Sequence, residues 1–516
     1  MDTKALRQKI LDLAIRGKLV PQDPNDEPAE VLLERIREQK QQMLKEGKLK
    51  KKDIKNDTII FKGEDNLHYE KFQDGTVKCI EDEIPFEVPE GWSWARLGSF
   101  FLTVTGSTPS TKDASLYGTE YPFYKPTDLN AGYNVYCAED SVSKKGYLSG
   151  RPLPKFSVLV TCIGATIGKT GYISNAGICN QQINAILPNS EILPAYTYFC
   201  MCSQYEQQQI CINSSATTLP ILNKSKFDNL LFPIPPKEQQ SQIVDRIKSL
   251  LLFVENIQNN QETLKKTVAE AKSKILDLAI RGKLVPQDPN DEPASVLIER
   301  IRAEKEELIK QGKIKRNKKE SVIFKGDDNS YYEKVVNKVN CIDEEIPFEL
   351  PEGWAFIRLK TAWELISGRD LSPSEYNDKN DGIPYITGAS NFKNGHISLV
   401  RWTPVPQVIT RRGDLLMTCK GTIGEIAYNN FGEAHIARQI MAIRNNYSLN
   451  VDFLTLCIEY SMTKIKQAAK GLIPGISRED ILNLVIPIPP TKEQEIICNK
   501  LKVTFSAIEH IEKSLN

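Results

Sequence analysis

From Ile243 onward, apolar side chains recur at alternating spacings of four and three: Ile243, Ile247, Leu250, Val254, Ile257, Leu264, Val268, Ile275 and Leu278, with Gln261 and Ala271 filling the two other places in the series. That period puts one stripe along one face of an α-helix. The series spans five heptads, a rod of roughly 50 Å at 1.5 Å rise per residue. So long a stripe needs a partner. The same spacing runs through Ile497, Leu501, Ile508, Ile511 and Leu515 at the end of the chain and continues in Leu6, Ile10 and Leu13 at its start. We expect an antiparallel pair of helices; the plainer alternative is a stripe that covers a globular core. Pro21, Pro24 and Pro28, with copies at Pro286, Pro289 and Pro293, are expected to end the helices, because proline lacks the amide donor and clashes with the preceding turn. Shorter helices should follow near 29–46 and 294–311.

The chain repeats itself. Lys9 to Ala29 and Lys274 to Ala294 are the same 21 residues at an offset of 265. The likeness continues more loosely through VLLERIRE at Val31 and VLIERIRA at Val296, IFKG at Ile60 and Ile323, EIPFE at Glu83 and Glu345, and PEGW at Pro89 and Pro351. A second echo links Pro233-Ile234-Pro235-Pro236-Lys237-Glu238-Gln239 with Pro487-Ile488-Pro489-Pro490-Thr491-Lys492-Glu493-Gln494, each followed by a helical pattern. At the offset of 254 that relates the tail to the middle, Asn516 maps to position 262, while Met1 maps to 266. Only positions 263–265 then separate the images of the two termini, so the chain has the layout of a circularly permuted tandem repeat.

Between the repeated parts lie two segments, about 84–236 and 346–490, that share only a skeleton. Val158-Leu159-Val160-Thr161-Cys162-Ile163-Gly164-Ala165-Thr166-Ile167-Gly168 stands against Leu415-Leu416-Met417-Thr418-Cys419-Lys420-Gly421-Thr422-Ile423-Gly424, and Gln181-Gln182-Ile183 against Arg438-Gln439-Ile440. These are strand-like runs broken by glycine turns. Helical stretches near 196–211 and 451–470 make each segment a mixed α/β domain. The boundaries are then 1–83 for an N-terminal repeated helical segment, 84–236, 237–345 with the long helix, 346–490, and 491–516 for a C-terminal helix.

Composition narrows the chemistry. With 516 residues, 40% hydrophobic and 26% charged, the chain is expected to hold several folded units. Met1 to Arg16 carries Asp2, Lys4, Arg7, Lys9 and Asp12 where a signal peptide needs an apolar run, and no stretch suits a membrane span; a cytoplasmic location is expected. Eleven cysteines without a short-spaced framework and four histidines, His68, His396, His435 and His510, predict reduced thiols and no metal site. A net charge of +1 confines any polyanion-binding surface to local patches. Gly164 to Thr170 has three residues between its glycines where a phosphate loop needs four, and Glu425 replaces Lys169 in the other copy. We read a tight turn that exposes Lys169. No triad, paired-carboxylate site or methyltransferase motif can be assembled, so the chain reads as a binder without catalysis of its own.

The permuted order, the two divergent segments, the helical spacers and the doubled Pro-Ile-Pro-Pro element with its Glu-Gln together resemble the specificity subunit of Type I restriction-modification enzymes. That resemblance covers nearly the whole chain. It implies an α+β architecture: two mixed α/β target-recognition domains separated by long antiparallel coiled-coil helices in a circularly permuted pseudo-two-fold repeat. Each domain would read one half of an asymmetric bipartite site on double-stranded DNA, and the helices would set the spacer and dock two modification (methyltransferase) subunits. It further implies S-adenosylmethionine, ATP and magnesium in partner subunits, including restriction (endonuclease and translocase) subunits, and no cofactor in this chain. The alternatives are a coiled-coil scaffold that presents two protein-binding domains, and a self-sufficient modification or cleavage enzyme.

Base edges are read by side chains with paired donors and acceptors. Near the shared turns the candidates are Lys125, Lys144, Lys145, Lys169, Gln181 and Gln182 in the first domain, and Asn391, Lys393, Arg411, Arg412, Lys420, Arg438 and Gln439 in the second. For each, a solvated or structural role competes, and Gln181 and Gln439 are open to a structural role because both domains carry glutamine there. The lysine-rich stretches 45–55 and 310–319 suit either phosphate contacts or solvated connectors; we favour connectors.

Overall fold

The computed structural model describes residues 2–215, 219–312, 320–393, 395–447, 449–468 and 475–515. The chain divides into two compact units, Met1–Glu262 and Thr263–Asn516. That division falls within a residue of the three positions that the repeat arithmetic leaves between the images of the termini. Helices of eight residues or more are numbered below.

In the first unit, α1 (Thr3–Ile15) and α2 (Ala29–Lys45) precede an antiparallel sheet of β1 (Ile59–Lys62), β2 (His68–Lys71) and β3 (Val77–Cys79). The segment 1–83, expected to be helical, therefore closes in strands. Strand β4 (Ser93–Arg96) follows the PEGW turn, and β5 (Thr103–Thr105), β6 (Tyr117–Tyr124), β7 (Asp140–Val142), β8 (Val158–Thr161), β9 (Thr170–Tyr172), β10 (Ile178–Cys179) and β11 (Ile183–Ile186) build the variable domain. Next come α3 (Pro194–Met201), α4 (Gln204–Asn213), β12 (Leu231–Ile234) and the long α5 (Lys237–Ile280), which continues into the second unit. There, α6 (Ala294–Lys310) precedes β13 (Ser321–Lys325), β14 (Tyr331–Val335) and β15 (Lys338–Cys341), the second copy of the small sheet. Strands β16 (Ala355–Arg358), β17 (Trp363–Ser367), β18 (Ile383–Ile386), β19 (Phe392–Lys393), β20 (His396–Ile397), β21 (Trp402–Thr403), β22 (Ile409–Thr410), β23 (Leu415–Thr418), β24 (Ile426–Tyr428), β25 (Ala434–Ile436) and β26 (Ile440–Asn445) lead to α7 (Val451–Ala468), β27 (Val485–Ile488) and α8 (Thr491–Leu515).

The repeated motifs prove to be joints. In the first unit β4 pairs antiparallel with β12, Trp94 opposite Pro233; in the second β16 pairs with β27, Phe356 opposite Pro487. PEGW and Pro-Ile-Pro-Pro thus meet where each variable domain leaves and rejoins the repeated part. The polar pair three and four residues after the last proline, Gln239-Gln240 in the first unit and Glu493-Gln494 in the second, locks the joint: Trp92 Nε1 donates to Gln239 Oε1 at 3.0 Å, and Trp354 Nε1 to Glu493 Oε2 at 2.9 Å. One residue on, Gln240 Oε1 accepts from Leu193 N and Gln494 Oε1 from Asn450 N.

Glycine, and not proline, ends the helices that enter these joints. At Gly17 and Gly282 φ is +64° and +65°, with Lys18 N bonded to Leu13 O and Lys283 N to Leu278 O, the left-handed stop that satisfies a helix's last carbonyls. A Cβ at either position would lie 2.4 Å from Pro89 or 2.5 Å from Pro351, so only glycine lets the helix end seat on the PEGW turn. The prolines from Pro21 and Pro286 onward merely follow.

The heptad stripe is covered unevenly. Ile243, Ile247 and Val254 are buried in the first unit's main core with Ile10, Ala14 and Trp94, and Leu250 packs against it. In the second unit Ile497 and Leu501 are fully covered, Ile275 packs on the same core, and Val268 is 7% exposed. Full burial of each such side chain contributes roughly 1.5–3 kcal/mol. The pairing within the second unit is antiparallel: Glu493 meets Gln287 at 2.5 Å, and Glu512 meets Lys272 at 2.8 Å. Ile257, Leu278 and Ile508 are half-buried, whereas Leu264 and Ile511 are 41% and 47% exposed. The expected continuous seam is thus corrected: paired helices cover the stripe at the domain ends of α5 and leave it partly open near the middle. Leu515 lies where no side chain is described, and within the stretch 310–319 residues 313–319 fall outside the described residues.

Candidate nucleic-acid interface

The two variable domains share one sheet. In the first, β5-β11-β8-β9 form an antiparallel four-stranded sheet; in the second, β17-β26-β23-β24 do the same. Register matches residue for residue, with Asn184 opposite Thr105 and Val160, and Met441 opposite Ser367 and Met417. Buried Val158, Leu159, Val160 and Ile183 on one side, and Leu415, Leu416, Met417 and Ile440 on the other, carry it. Each domain also carries a second sheet built on an equivalent parallel pair, β10 with β6 (Cys179 opposite Tyr124) and β25 with β18 (Ile436 opposite Ile386). Beyond those pairs the domains part, the first adding β7 and a short helix at Lys144–Ser149, the second β21, β22 and the small hairpin β19–β20.

The glycine turns hold equivalent places. Thr161 N bonds to Lys169 O at 2.8 Å and Thr418 N to Glu425 O at 3.0 Å; Gly168 N returns to Thr161 O and Gly424 N to Thr418 O. Gly164 and Gly168 have φ of +101° and +85°, which shapes a tight turn. Its cation is half-buried and donates to Asn130 Oδ1 at 2.8 Å. The backbone joins this turn to the residue before β11 and before β26 in the same way: Cys162 N bonds to Gln182 O at 2.7 Å, and Cys419 N to Gln439 O at 2.8 Å.

The register pairs Gln182 with Gln439, and Gln181 with Arg438. The shared glutamine belongs to the scaffold in the first domain, where Asn180 Nδ2 donates to Gln182 Oε1 at 2.9 Å. In the second, Gln439 Oε1 sits where a Cβ on Gly388 would be, 2.4 Å away. The structural reading of this position applies to Gln182, not Gln181.

The other candidates divide by exposure and engagement. Lys144 and Lys145 open the short helix and are exposed; Lys145 Nζ reaches Ser115 Oγ at 2.6 Å and Asp113 at 3.2 Å. Lys125 is ion-paired to Asp140, which holds its ammonium above the usual lysine range. In the second domain Arg411 donates to Asn446 Oδ1 at 2.7 Å, Lys420 forms an isolated bridge with Gly475, and Arg412 is exposed. Lys393 lines an open groove with Ser390, Thr422 and Glu425, which brings β19 up to the glycine turn. Asn391 requires correction. It is 1% exposed, its Oδ1 accepts from Thr387 N, Thr387 Oγ1 and Gly388 N, and its Nδ2 donates to Ser398 O at 2.8 Å. A buried amide bonded through both its oxygen and its nitrogen shapes its turn and presents no edge outward.

Sequence reasoning passed over Thr108 and Asp370. Thr108 Oγ1 donates to Gln181 Oε1 at 2.6 Å, and Asp370 Oδ2 lies 2.6 Å from Arg438 Nε. The signal was present in the glycines two residues before each, Gly106 and Gly368, whose amides bond to Ile183 O and Ile440 O.

Among the described residues no group of three or more His, Cys, Asp or Glu is placed to hold a metal ion, and no helix is long and apolar enough to cross a membrane. Each domain presents exposed amide, guanidinium or ammonium groups on its own loop set, raised on its own sheet of the same topology. Such groups recognise base edges and phosphates.

Comparison with known proteins agrees with that chemistry. The chain is 26% identical to the Type I restriction enzyme EcoEI specificity subunit of Escherichia coli, covering 99% of this chain and 90% of that one. It is 27% identical to the EcoAI specificity subunit of the same organism, covering 97% and 90%. A chain from a structural study of complex assembly and conformational transition of the type I R-M system shares the fold with a TM-score of 0.57 at 20% identity, over 84% of this chain and 94% of that one. The HsdS subunit from Thermoanaerobacter tengcongensis shares it with a TM-score of 0.54 at 19% identity, over 83% and 93%. The family model for the Type I restriction modification DNA specificity domain matches residues 89–266 and 351–516, and the chain belongs to that family, carrying its domain twice.

Proposed function

We propose that this chain is the DNA-specificity subunit of a Type I restriction-modification complex, that each variable domain reads one half of an asymmetric bipartite site on double-stranded DNA, and that α5 with its partner helices sets the unread spacer. The observation that carries this reading is the pairing of an identical strand register with unlike side chains, exposed Gln181 against exposed Arg438 and half-buried Lys169 against exposed Glu425. A shared frame with different edges suits half-sites of different sequence, as paired DNA-reading modules address half-sites at a set separation.

The chain provides address and scaffold, without a reaction of its own. Two modification subunits using S-adenosylmethionine would dock on the helical part, and restriction subunits using ATP and magnesium would complete the assembly in the cytoplasm. Exposed Leu252 and Phe253 on α5, and Ile496 and Val503 on α8, support docking there, since apolar side chains left open on a helix suit a protein partner. The scaffold reading, with two protein-binding domains, draws no specific observation.

The test is to map DNA methylation across a genome with and without this chain beside its modification subunit. A split, asymmetric motif should appear only when the chain is present. A motif independent of the chain, or a continuous palindrome, contradicts the proposal.

A further inference from the structure

Two residue pairs occupy the same place in the two variable domains with different chemistry. The frame around them is superimposable in its bonding: Gly106 N to Ile183 O at 2.9 Å and Ser107 N to Cys179 O at 2.9 Å in the first, Gly368 N to Ile440 O at 3.1 Å and Arg369 N to Ile436 O at 2.9 Å in the second. A Cβ at either glycine would lie 2.1 Å from the carbonyl of Asn180 or of Ala437, so the two chain segments touch there through backbone alone. One step beyond, Thr108 holds Gln181 and Asp370 holds Arg438. All four protrude, Arg438 with 68% and Asp370 with 44% of the side chain exposed.

Each pair presents a fixed polar edge. Asp370 grips Arg438 twice, Oδ1 accepting from its backbone N at 3.1 Å and Oδ2 pairing with Nε at 2.6 Å. Nη1 and Nη2 have no partner among the described residues and are left to form the two-pronged donor that matches guanine O6 and N7. Behind Asp370, buried His435 accepts at Nδ1 from Val408 N at 3.1 Å and donates from Nε2 to Arg369 O at 2.8 Å, which ties the turn to the sheet. In the first domain the Thr108 hydroxyl takes one lone pair of Gln181 Oε1. The other lone pair and both Nε2 protons stay available, the acceptor and donor that adenine N6 and N7 require.

We propose that Arg438, oriented by Asp370, reads one guanine in the half-site of the second domain, and that Gln181, oriented by Thr108, reads one adenine at the corresponding place in the other half-site. This rests on the DNA-reading function proposed above. Asp370 and Thr108 are positioning residues; Arg438 and Gln181 make the contact.

The experiment uses the full complex of this chain with its modification subunits on a randomised duplex library, scored by methylation. In the double variant Asp370→Thr with Arg438→Gln, one guanine of one half-motif should lose its preference by about tenfold or more, while every position of the other half is kept. An unchanged motif, or loss at several positions at once, overturns the proposal. If the variant complex is inactive, the wild-type complex decides: replacing guanines singly by 7-deazaguanine should weaken binding about tenfold or more at one guanine of that half-site, and a half-site insensitive at every guanine overturns the proposal. A wild-type complex that yields no split motif removes the underlying reading and this pair with it.

Discussion

Arg96 and Glu70 form an ion pair with 2.8 Å between Nη2 and Oε2 although their side chains are only 7% and 4% exposed. Arg96 also reaches Glu83 at 2.6 Å and Asn229 O at 3.1 Å, so the guanidinium stitches the small sheet to the joint of the first variable domain. The second unit repeats this stitch: Arg358 pairs with Glu333 at 2.7 Å and with Glu345 at 2.7 Å, and donates to Asn483 O at 2.8 Å.

Removing either arginine strands a buried carboxylate, which costs about 3–5 kcal/mol where a buried pair is broken. Arg96→Ala and Arg358→Ala should each lower stability by that order in the full chain, measured by denaturant unfolding. A loss below about 1 kcal/mol in both contradicts the stitch.

Glu206 in α4 is fully buried, its carboxylate oxygens have no hydrogen-bond partner among the described residues, and burial pushes its pKa well above the usual carboxylate range. A folded pKa above the unfolded one means that the folded state holds the proton longer. Stability is therefore greatest below the unfolded pKa and falls as pH rises toward the folded pKa, by about 1.4 kcal/mol per pH unit in that window. Glu206→Gln removes this slope. The variant should gain on the parent as pH rises above the unfolded carboxylate range in thermal or denaturant unfolding; a difference that does not change with pH there contradicts the assignment.

Asn391 and Arg438 were equal candidates by residue type, and the structure separates them. Asn391→Ala should cost roughly 2–4 kcal/mol, because it leaves Gly388 N, Thr387 N and Ser398 O without their partner, yet keep the recognised bases. Unfolding midpoints together with a methylation motif check both halves of that statement.

The long helix, the permuted layout and the turns of the shared sheet were all legible in the sequence, because near-identical copies announce a duplicated frame and heptads announce a long helix. Less was legible at the tips. Asn391 in a turn and Lys393 beside it look alike as letters; burial alone tells which is structural. Thr108 and Asp370 were missed because their importance lies in register: each pairs with a residue from a distant strand, and length differences between the domains shift the two strands by unequal amounts. The glycine stop at Gly17 was masked by the prolines after it, and the open centre of the heptad stripe by the assumption that every seam position finds cover.

Helix α5 is continuous from Lys237 to Ile280. Seven residues inserted near Asn260 keep the heptad phase and add about 10 Å at 1.5 Å per residue, or about three base pairs at 3.4 Å each. The methylated motif should keep both halves and lengthen its gap accordingly. An unaltered gap contradicts the spacer role.

The most direct test of the whole account is to exchange residues 346–490 for the corresponding segment of a relative with a different target and to map methylation by the assembled complex. One half of the motif should be replaced and the other kept base for base. If both halves change, or neither does, the two domains do not read independently and the account fails.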